Sequence, residues 1–250
     1  MTTERFNHKV IISGFEVEHY EYLTKIQIRG YKRKKRKEKI VDKTIKKEKK
    51  ENPEKTKFSA NRTRTQIRRI TNSNPELNKF LTLTTKITDI DKANKLFNLF
   101  VPRMKDRFSE FRYLSVPEFQ KDVDFYGVKK PDGGAVHYHI VCNLRYVRSK
   151  VIEEIWGHGF INIKEIKKGT NLGSYLCKYL RKEMFDKRMF GKKKYFCSQD
   201  LKRPLEITGD NAEAFVCENS ELKLIKKISF QNEYSGDVLL KLYNIKKLTA

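Results

Sequence analysis

The sequence has few cysteines, prolines and tryptophans, and it has no long apolar run. Its 250 residues include 4 Cys, 6 Pro and 1 Trp, and no two cysteines form a C-x-x-C pair. Cysteines this far apart predict neither a zinc module nor a disulfide framework, so we expect them to be reduced and buried. Without an apolar stretch long enough to cross a bilayer, or the layout of a signal peptide, the sequence predicts a cytoplasmic protein.

Acidic side chains are scarce relative to basic ones. The 55 Lys and Arg residues outnumber the 31 Asp and Glu, which gives a net charge of +24. Two segments carry nearly all of the excess: residues 31–69 hold 18 basic and 5 acidic side chains, and residues 163–203 hold 13 and 4. An AT-rich genome enriches lysine, but it would enrich glutamate as well. The two basic blocks therefore favour a nucleic acid as partner, because neutralised phosphates release counterions. An anionic membrane is less favoured, since no amphipathic apolar face accompanies the basic runs.

Composition divides the chain into three segments. We predict an N-terminal extension over residues 1–60, a compact domain over residues 61–205 and a β-rich extension over residues 206–250. Within the first, residues 31–57 form a basic arm with too few apolar side chains to build a core, which predicts a solvated helix or a disordered segment. Residues 61–69 are interpreted as a basic lead-in to the first strand of the compact domain.

The compact domain shows strand and helix periodicity in alternation. Its predicted elements are strand 80–85, helix 91–108, strand 111–116 ending near Glu118, strand 135–144, helix 151–156, strand 160–166 and helix 171–186. This order predicts an α+β fold with an antiparallel sheet and flanking helices. Outside the domain, residues 9–30 allow a small hairpin and residues 222–245 predict another.

Two histidines, His137 and His139, alternate within the predicted strand 135–144. A period of two places both rings on one face of the sheet. Glu118 ends the strand predicted to pair with this one, so it can complete a three-ligand site for Mg²⁺ or Mn²⁺, and two imidazoles favour Mn²⁺. An isolated pair of this kind is also typical of two half-exposed histidines without a metal.

The predicted helix 171–186 carries Tyr175, Lys178 and Tyr179 on one face, since residues three and four positions apart are neighbours there. A phenol with a pKa of about 10 is a poor nucleophile at neutral pH. Its attack on a phosphodiester becomes feasible when a metal ion polarises the phosphate. The alternative is that both tyrosines simply pack in the core.

Together these motifs resemble the HUH endonucleases, specifically the rolling-circle replication initiator (Rep) proteins of plasmids and small DNA phages. The strand from Phe80 to Thr85, the His137 to His139 motif and the Tyr175 to Tyr179 motif follow the family's order and separations. The resemblance covers about residues 61–205. It implies an RRM-like core and a single-strand DNA endonuclease that joins strands through a tyrosine.

The resemblance also implies the roles of particular residues. The implied site consists of Tyr175, Tyr179 and Lys178 as catalytic residues and of His137, His139 and Glu118 as ligands of a divalent metal. Tyr175 is expected to attack first, which leaves a 5′-phosphotyrosyl link and a 3′-hydroxyl for a host polymerase. A host helicase is expected as well, because the sequence contains no P-loop motif. The expected DNA contacts are Arg62, Arg64, Arg68, Arg69, Lys192, Lys193 and Lys194.

Some alternatives stay open at this point. The segment between Glu118 and His137 contains further carboxylates, Asp122, Asp124 and Asp132, and any of these could replace Glu118. The same chemistry is used by relaxases and single-strand transposases. A non-catalytic RRM-like nucleic-acid-binding protein would explain the charge and the aromatic residues, but it would leave the histidine pair and the tyrosine helix without a role.

Overall fold

In the computed structural model the chain forms two compact units. The structure describes residues 5–27, 53–167, 172–183, 186–232 and 235–245. One unit combines Met1–Asn52 with Pro204–Ala250, and the other is Pro53–Arg203. Each unit contains a five-stranded sheet. All strand pairs are antiparallel, and the predicted α+β fold is confirmed.

The elements are, in chain order, β1 (Arg5–Ser13), β2 (Glu16–Gln27), α1 (Pro53–Asn72), β3 (Lys79–Leu83), α2 (Ile90–Arg107), β4 (Tyr113–Phe119), β5 (Val136–Cys142), α3 (Ser149–Trp156), β6 (Ile161–Glu165), α4 (Leu172–Glu183), a 3-10 turn (Lys187–Met189), β7 (Phe196–Cys197), β8 (Leu205–Thr208), α5 (Asp210–Glu218), β9 (Leu222–Asn232) and β10 (Gly236–Ile245).

Strands from the two ends of the chain share one sheet in the first unit. Their order is β8-β1-β2-β10-β9. A two-residue turn joins β1 to β2, and its Gly14 has a φ of 59°, a conformation that glycine adopts without a steric cost. Helix α5 packs on this sheet, with Ala212 buried against Val10 and Val17. The hairpins at 9–30 and 222–245 are confirmed, and the sheet joins them edge to edge.

The sheet of the second unit, in the order β6-β3-β5-β4-β7, separates two apolar cores. On one face Tyr138 and Ile140 of β5 belong to the core that includes residues of α2 and α3. On the other face Val141 belongs to the core that includes residues of α1 and α4. The alternation along β5 therefore divides the helices into two layers.

Helix α1 corrects the interpretation of residues 61–69 as a lead-in. Ala60, Ile67 and Ile70 are buried among the apolar residues of the second core. Their spacing of seven and three residues fits one helix face, and Pro53 at the first position suits a helix start. Most of the predicted basic arm, residues 31–52, lies outside the described residues.

The other predicted elements of the second unit are present, with ends shifted by a few residues. The last helix was predicted to run to residue 186, but α4 ends at Glu183 and Asp186 caps the following turn by accepting a hydrogen bond from Arg188 N at 2.8 Å. The expectation that all cysteines are buried is wrong, because Cys217 is exposed and only Cys142 is fully buried.

No helix among the described residues has the length and apolar character needed to span a membrane.

Candidate functional site

The predicted metal ligands lie on the face of the second sheet that carries α1 and α4. Glu118 of β4 stands directly opposite His137 of β5, and Val116 stands opposite His139. Directly opposed residues project to the same face of an antiparallel pair. The period-two argument therefore places Glu118, His137 and His139 side by side, as predicted.

His139 is held by contacts to both ring nitrogens. Its Nε2 contacts Oε2 of Glu118, and its Nδ1 lies 3.3 Å from Oγ1 of Thr82 on the neighbouring strand β3. A second contact to the other nitrogen is the usual way in which proteins orient a metal-binding imidazole. Two imidazoles and a carboxylate on one face suit a divalent metal such as Mn²⁺, so the donor set fits the implied ion.

His137 completes this group less closely. Burial and then His139 lower the pKa of His137, although Glu118 opposes the shift, and the neutral ring is the form that binds metals. In the described part of the chain the three residues do not bring their ligand atoms within 4.8 Å of one another. Binding of one ion by all three therefore requires His137 to turn toward the Glu118–His139 contact.

The other carboxylates between β4 and β5 serve the loop. Oδ1 of Asp122 accepts a hydrogen bond from Gly134 N at 2.6 Å. Oδ1 of Asp124 accepts hydrogen bonds from the backbone of Tyr126 and Val128, both at 2.9 Å. Asp132 is exposed. Glu118 is thus the acidic residue of this segment that contacts a histidine of the predicted site.

The Phe80 ring connects the histidines to the tyrosine helix. On one side it stacks on His139, with ring centroids 5.7 Å apart. The edge-on contact with Tyr175 of α4 has a centroid distance of 5.0 Å. Tyr175 is half-buried in the core between α1, α4 and the sheet. The predicted nucleophile and the predicted metal ligands therefore lie one aromatic ring apart.

Two ammonium groups approach the Tyr175 ring. Nζ of Lys178, on the same helix, lies 5.5 Å from the ring centroid. Nζ of Lys164, on β6, lies 5.8 Å from that centroid and 5.5 Å from the centroid of Phe80. Lys178 was predicted from the motif, whereas Lys164 was not, because its proximity depends on β6 pairing with β3. Tyr179 follows one turn later on α4, and its side chain lies outside the described part.

The predicted DNA contacts fall on two structural elements. On α1, Arg62 is exposed and Nη1 of Arg64 donates a hydrogen bond to Asn61 Oδ1 at 3.3 Å. Further along the same helix, Arg68 and Arg69 are half-buried.

The three predicted lysines lie between the 3-10 turn and β7. Nζ of Lys192 pairs with Asp91, and that of Lys194 donates to the Met189 carbonyl at 2.7 Å. Burial lowers the pKa of Lys194. Lys193 is exposed, and its Nζ lies 4.9 Å from the centroid of Phe196. Arg62 and Lys193 are therefore the two predicted contacts that lie fully at the surface.

A further group of metal-ligating side chains was missed from the sequence. His8 on β1 and His19 and Glu21 on β2 bring ligand atoms within 4.8 Å of one another. Burial lowers the pKa of His19, although Glu21 opposes the shift. The available signal was the alternation of His19 and Glu21. Locating His8 beside them also requires the register set by the turn at Gly14.

Comparison with known proteins agrees with the second unit. Residues 78–184 match the model of a family of replication-associated proteins of the ORF2 type, which are rolling-circle replication initiators. Neither the search of curated proteins nor that of solved structures gave a significant match. The matched segment contains the strands and the helix that carry all six predicted site residues. The resemblance found in the sequence is therefore confirmed: from residue 78 to residue 184 this chain is similar to rolling-circle replication initiators.

Proposed function

We propose that the second unit starts rolling-circle replication by cleaving single-stranded DNA with a tyrosine nucleophile. The observation that carries this proposal is the Phe80 ring, which contacts His139 and Tyr175 at the same time. A nucleophile and a group of metal ligands on one sheet face can act on the same phosphate. The match to the replication-associated family supports the initiator role independently of this geometry.

The proposed step is a transesterification at a phosphodiester. Oη of Tyr175 forms a bond to phosphorus while the bond from phosphorus to the 3′ oxygen breaks. The phenolic proton is lost to solvent, and the departing oxygen takes up a proton to become a 3′-hydroxyl. Because one phosphoester bond replaces another, the strand can be rejoined by the reverse attack without a nucleotide cofactor.

Side chains of this unit would stabilise the charge that develops in the reaction. The ammonium groups of Lys178 and Lys164 face the Tyr175 ring and attract negative charge on the phenol oxygen and the phosphate. Thr82 holds the His139 ring so that Nε2 points toward Glu118. A divalent metal bound by His137, His139 and Glu118 would polarise the phosphate oxygens and neutralise their charge.

The basic surface would hold the DNA strand by its phosphates. Helix α1 belongs to the same core as α4, so its exposed Arg62 lies on the side of the sheet that carries Tyr175. Such contacts add affinity without base specificity. The free 3′-hydroxyl would then be extended by a host polymerase, and we assign separation of the strands ahead of it to a host helicase.

The test uses the full chain, Mn²⁺ and a set of overlapping single-stranded oligonucleotides from the replicon that encodes it. We expect one oligonucleotide to become covalently attached, and mass spectrometry should place the nucleotide on Tyr175. Tyr175→Phe should abolish the adduct, because it removes the hydroxyl and keeps the ring. Tyr146→Phe is the matched control, since Tyr146 is 89% exposed and its side chain lies outside the proposed site.

Other outcomes would revise the proposal in distinct ways. A nucleotide found only on Tyr179 would reverse the assignment of the first nucleophile. The double variant His137→Ala/His139→Ala should bind DNA but not cleave it, and cleavage at the normal rate would refute the metal site. Cleavage without any adduct would point to an activated water, whereas binding without cleavage by the wild type would favour a non-catalytic DNA-binding protein.

A further inference from the structure

The first unit contains a compact group of side chains that the proposed cleavage does not use. It lies on the face of the β8-β1-β2-β10-β9 sheet that packs against α5. Val10 stands opposite His19, and His8 stands opposite Glu21, so all four project from one face. Val10 packs with α5 in the apolar core of this unit. The polar group is therefore located at the margin of that core.

We propose that His8, His19 and Glu21 bind a divalent cation of the zinc class. Nδ1 of His8 lies 3.1 Å from Nε2 of His19. Two ligands on one tetrahedral zinc ion, each at about 2.0–2.1 Å, are separated by about 3.3 Å. The two nitrogens are thus already spaced as neighbouring ligands, and a Glu21 oxygen within 4.8 Å supplies the third. Nitrogen and carboxylate oxygen ligands in this number suit zinc or cobalt.

Each imidazole also has a carboxylate near its other nitrogen. Nδ1 of His19 lies 3.4 Å from Oε1 of Glu21, and Nε2 of His8 lies 3.7 Å from Oε2 of Glu213 on α5. Histidines that bind metals usually have such a carboxylate partner, which orients the ring and increases its basicity. A pair of histidines without a metal has no comparable need for two carboxylates.

The His19 side chain gives an independent indication. It is only 3% exposed, yet its Nδ1 has no hydrogen-bond partner among the described residues. A buried polar atom without a partner is costly, so it calls for an explanation. A cation at this position would remove that cost, either by binding the nitrogen directly or by fixing the proton toward Glu21.

Lys241 is the one described charge that opposes the ion. Its Nζ contacts Oε1 of Glu21, and the side chain is 23% exposed. An ammonium group next to a metal ligand repels the cation, so binding requires Lys241 to move toward solvent. This competition distinguishes a metal site from a purely structural cluster, because removing the lysine should strengthen the former.

A bound ion would stabilise a unit with a small core. In the described part, the core beneath α5 has three fully buried apolar residues, Val10, Val17 and Ala212. Small cores are commonly supplemented by a metal that binds to the folded state alone. The ion would join β1 to β2 and, through Glu213, restrain α5. We therefore assign it a structural role, separate from DNA cleavage.

The test measures binding of Co²⁺ and Zn²⁺ to the metal-free full chain. The variant His137→Ala/His139→Ala serves as background, so that the proposed catalytic metal does not contribute. We expect one ion per chain and a visible Co²⁺ spectrum of tetrahedral type. His8→Asn and Glu21→Gln should each weaken binding at least tenfold, and Lys241→Gln should strengthen it severalfold. His158→Ala, which removes the fifth histidine of the chain, should change nothing.

A folding artefact is excluded by a second measurement. Amide exchange in β1, β2 and α5 should slow when Zn²⁺ is added to the background variant, and His8→Asn should abolish that slowing while its circular dichroism stays unchanged. No ion bound in the background, or equal affinity for the background and His8→Asn, would overturn the proposal. Neither result would affect the proposed cleavage, which involves residues of the other unit.

Discussion

Phe80 is the residue on which the proposed active site depends most. It is 3% exposed, and its ring contacts an imidazole, a phenol and an ammonium group. Aromatic and cation–π contacts of this kind contribute about 0.5–1.5 kcal/mol each and restrict orientation as well. Phe80 therefore fixes the distance between His139 and Tyr175.

Lys164 provides the first prediction at this scale. Lys164→Met keeps the length of the side chain and removes one charge about 6 Å from the Tyr175 ring. The Coulomb energy at that distance is about 1–3 kcal/mol, so we expect the cleavage rate to fall about tenfold or more. Single-turnover cleavage at saturating DNA measures it. Lys167→Met, also exposed, is the control, and equal rates for the two variants would exclude Lys164 from the reaction.

The cysteines provide the second prediction. Burial raises the pKa of the Cys142 thiol to about 12, so almost no thiolate forms near neutral pH. Cys217 is exposed on α5. Iodoacetamide at pH 8 should therefore label Cys217 in the native protein and Cys142 only after unfolding, as peptide mass spectrometry would show. Labelling of Cys142 at a comparable rate in the native state would mean that the central strand β5 opens readily.

At this scale the sequence predicted directions better than distances. The alternation of His137 and His139 and the end of a strand at Glu118 were sufficient to place three side chains on one face. The contact of Phe80 with Tyr175 was not predictable, because it depends on how α4 lies across the sheet. The grouping of His8 with His19 similarly depends on a strand register.

Helices α1 and α4 pack closely enough that one residue between them must be glycine. A Cβ on Gly173 would lie 2.5 Å from Cα of Arg68 and 2.8 Å from Oγ1 of Thr71. The first of these atoms is backbone and cannot rotate away. The position of α4, and with it that of Tyr175, therefore depends on the absence of a side chain at residue 173.

Gly173→Ala should push α4 away from α1. Overpacking of this kind costs about 1–3 kcal/mol, and cleavage should fall more than DNA binding because Tyr175 moves with the helix. Urea unfolding followed by the fluorescence of Trp156, the single tryptophan of the chain, reports on this unit. The double variant Gly173→Ala/Thr71→Ala should regain only part of the stability, since the Arg68 backbone stays in place. Wild-type stability in Gly173→Ala would show that the helices separate without cost.

The element that sequence analysis missed is α1. Its buried residues Ala60, Ile67 and Ile70 have helical spacing, but they are three apolar side chains in a segment dominated by Arg, Lys and Thr. Local composition alone favoured an extended basic segment. The helix forms because the sheet face beneath it needs an apolar cover, and this requirement is not visible within the segment itself.

Across the whole molecule, charge is distributed unevenly. The basic residues between 32 and 50 carry no motif, so we expect them to add affinity for DNA without contributing to cleavage. Replacing these Lys and Arg residues by Gln should flatten the dependence of single-strand binding on salt, by about 0.7 in log–log slope per lost phosphate contact.

Fluorescence anisotropy at several salt concentrations measures this slope. Cleavage at saturating DNA should persist in the substituted chain. A control with Gln at Lys223, Lys226 and Lys227 of β9, which lie outside both basic blocks, should change the slope less. An unchanged slope after the substitutions at 32–50 would show that this segment contacts something other than DNA.

The pairing of the two chain ends was not predictable from local patterns. Residues near 9–30 and 222–245 each suggested a hairpin, but the pairing of β2 with β10 depends on contacts between distant residues. The contact of Glu21 with Lys241 joins positions 220 residues apart. No periodicity within either segment identifies such a partner.

This arrangement has a consequence during synthesis on the ribosome. Strands β1 and β2 are translated first, whereas β8, β9 and β10, which complete their sheet, are translated last. Every residue of the DNA-cleaving unit is available earlier, so that unit can fold while β2 still has an open edge. A message truncated just after residue 203 would therefore encode the whole proposed nuclease together with an unpaired hairpin. Such a product should aggregate through that hairpin rather than accumulate as an active enzyme.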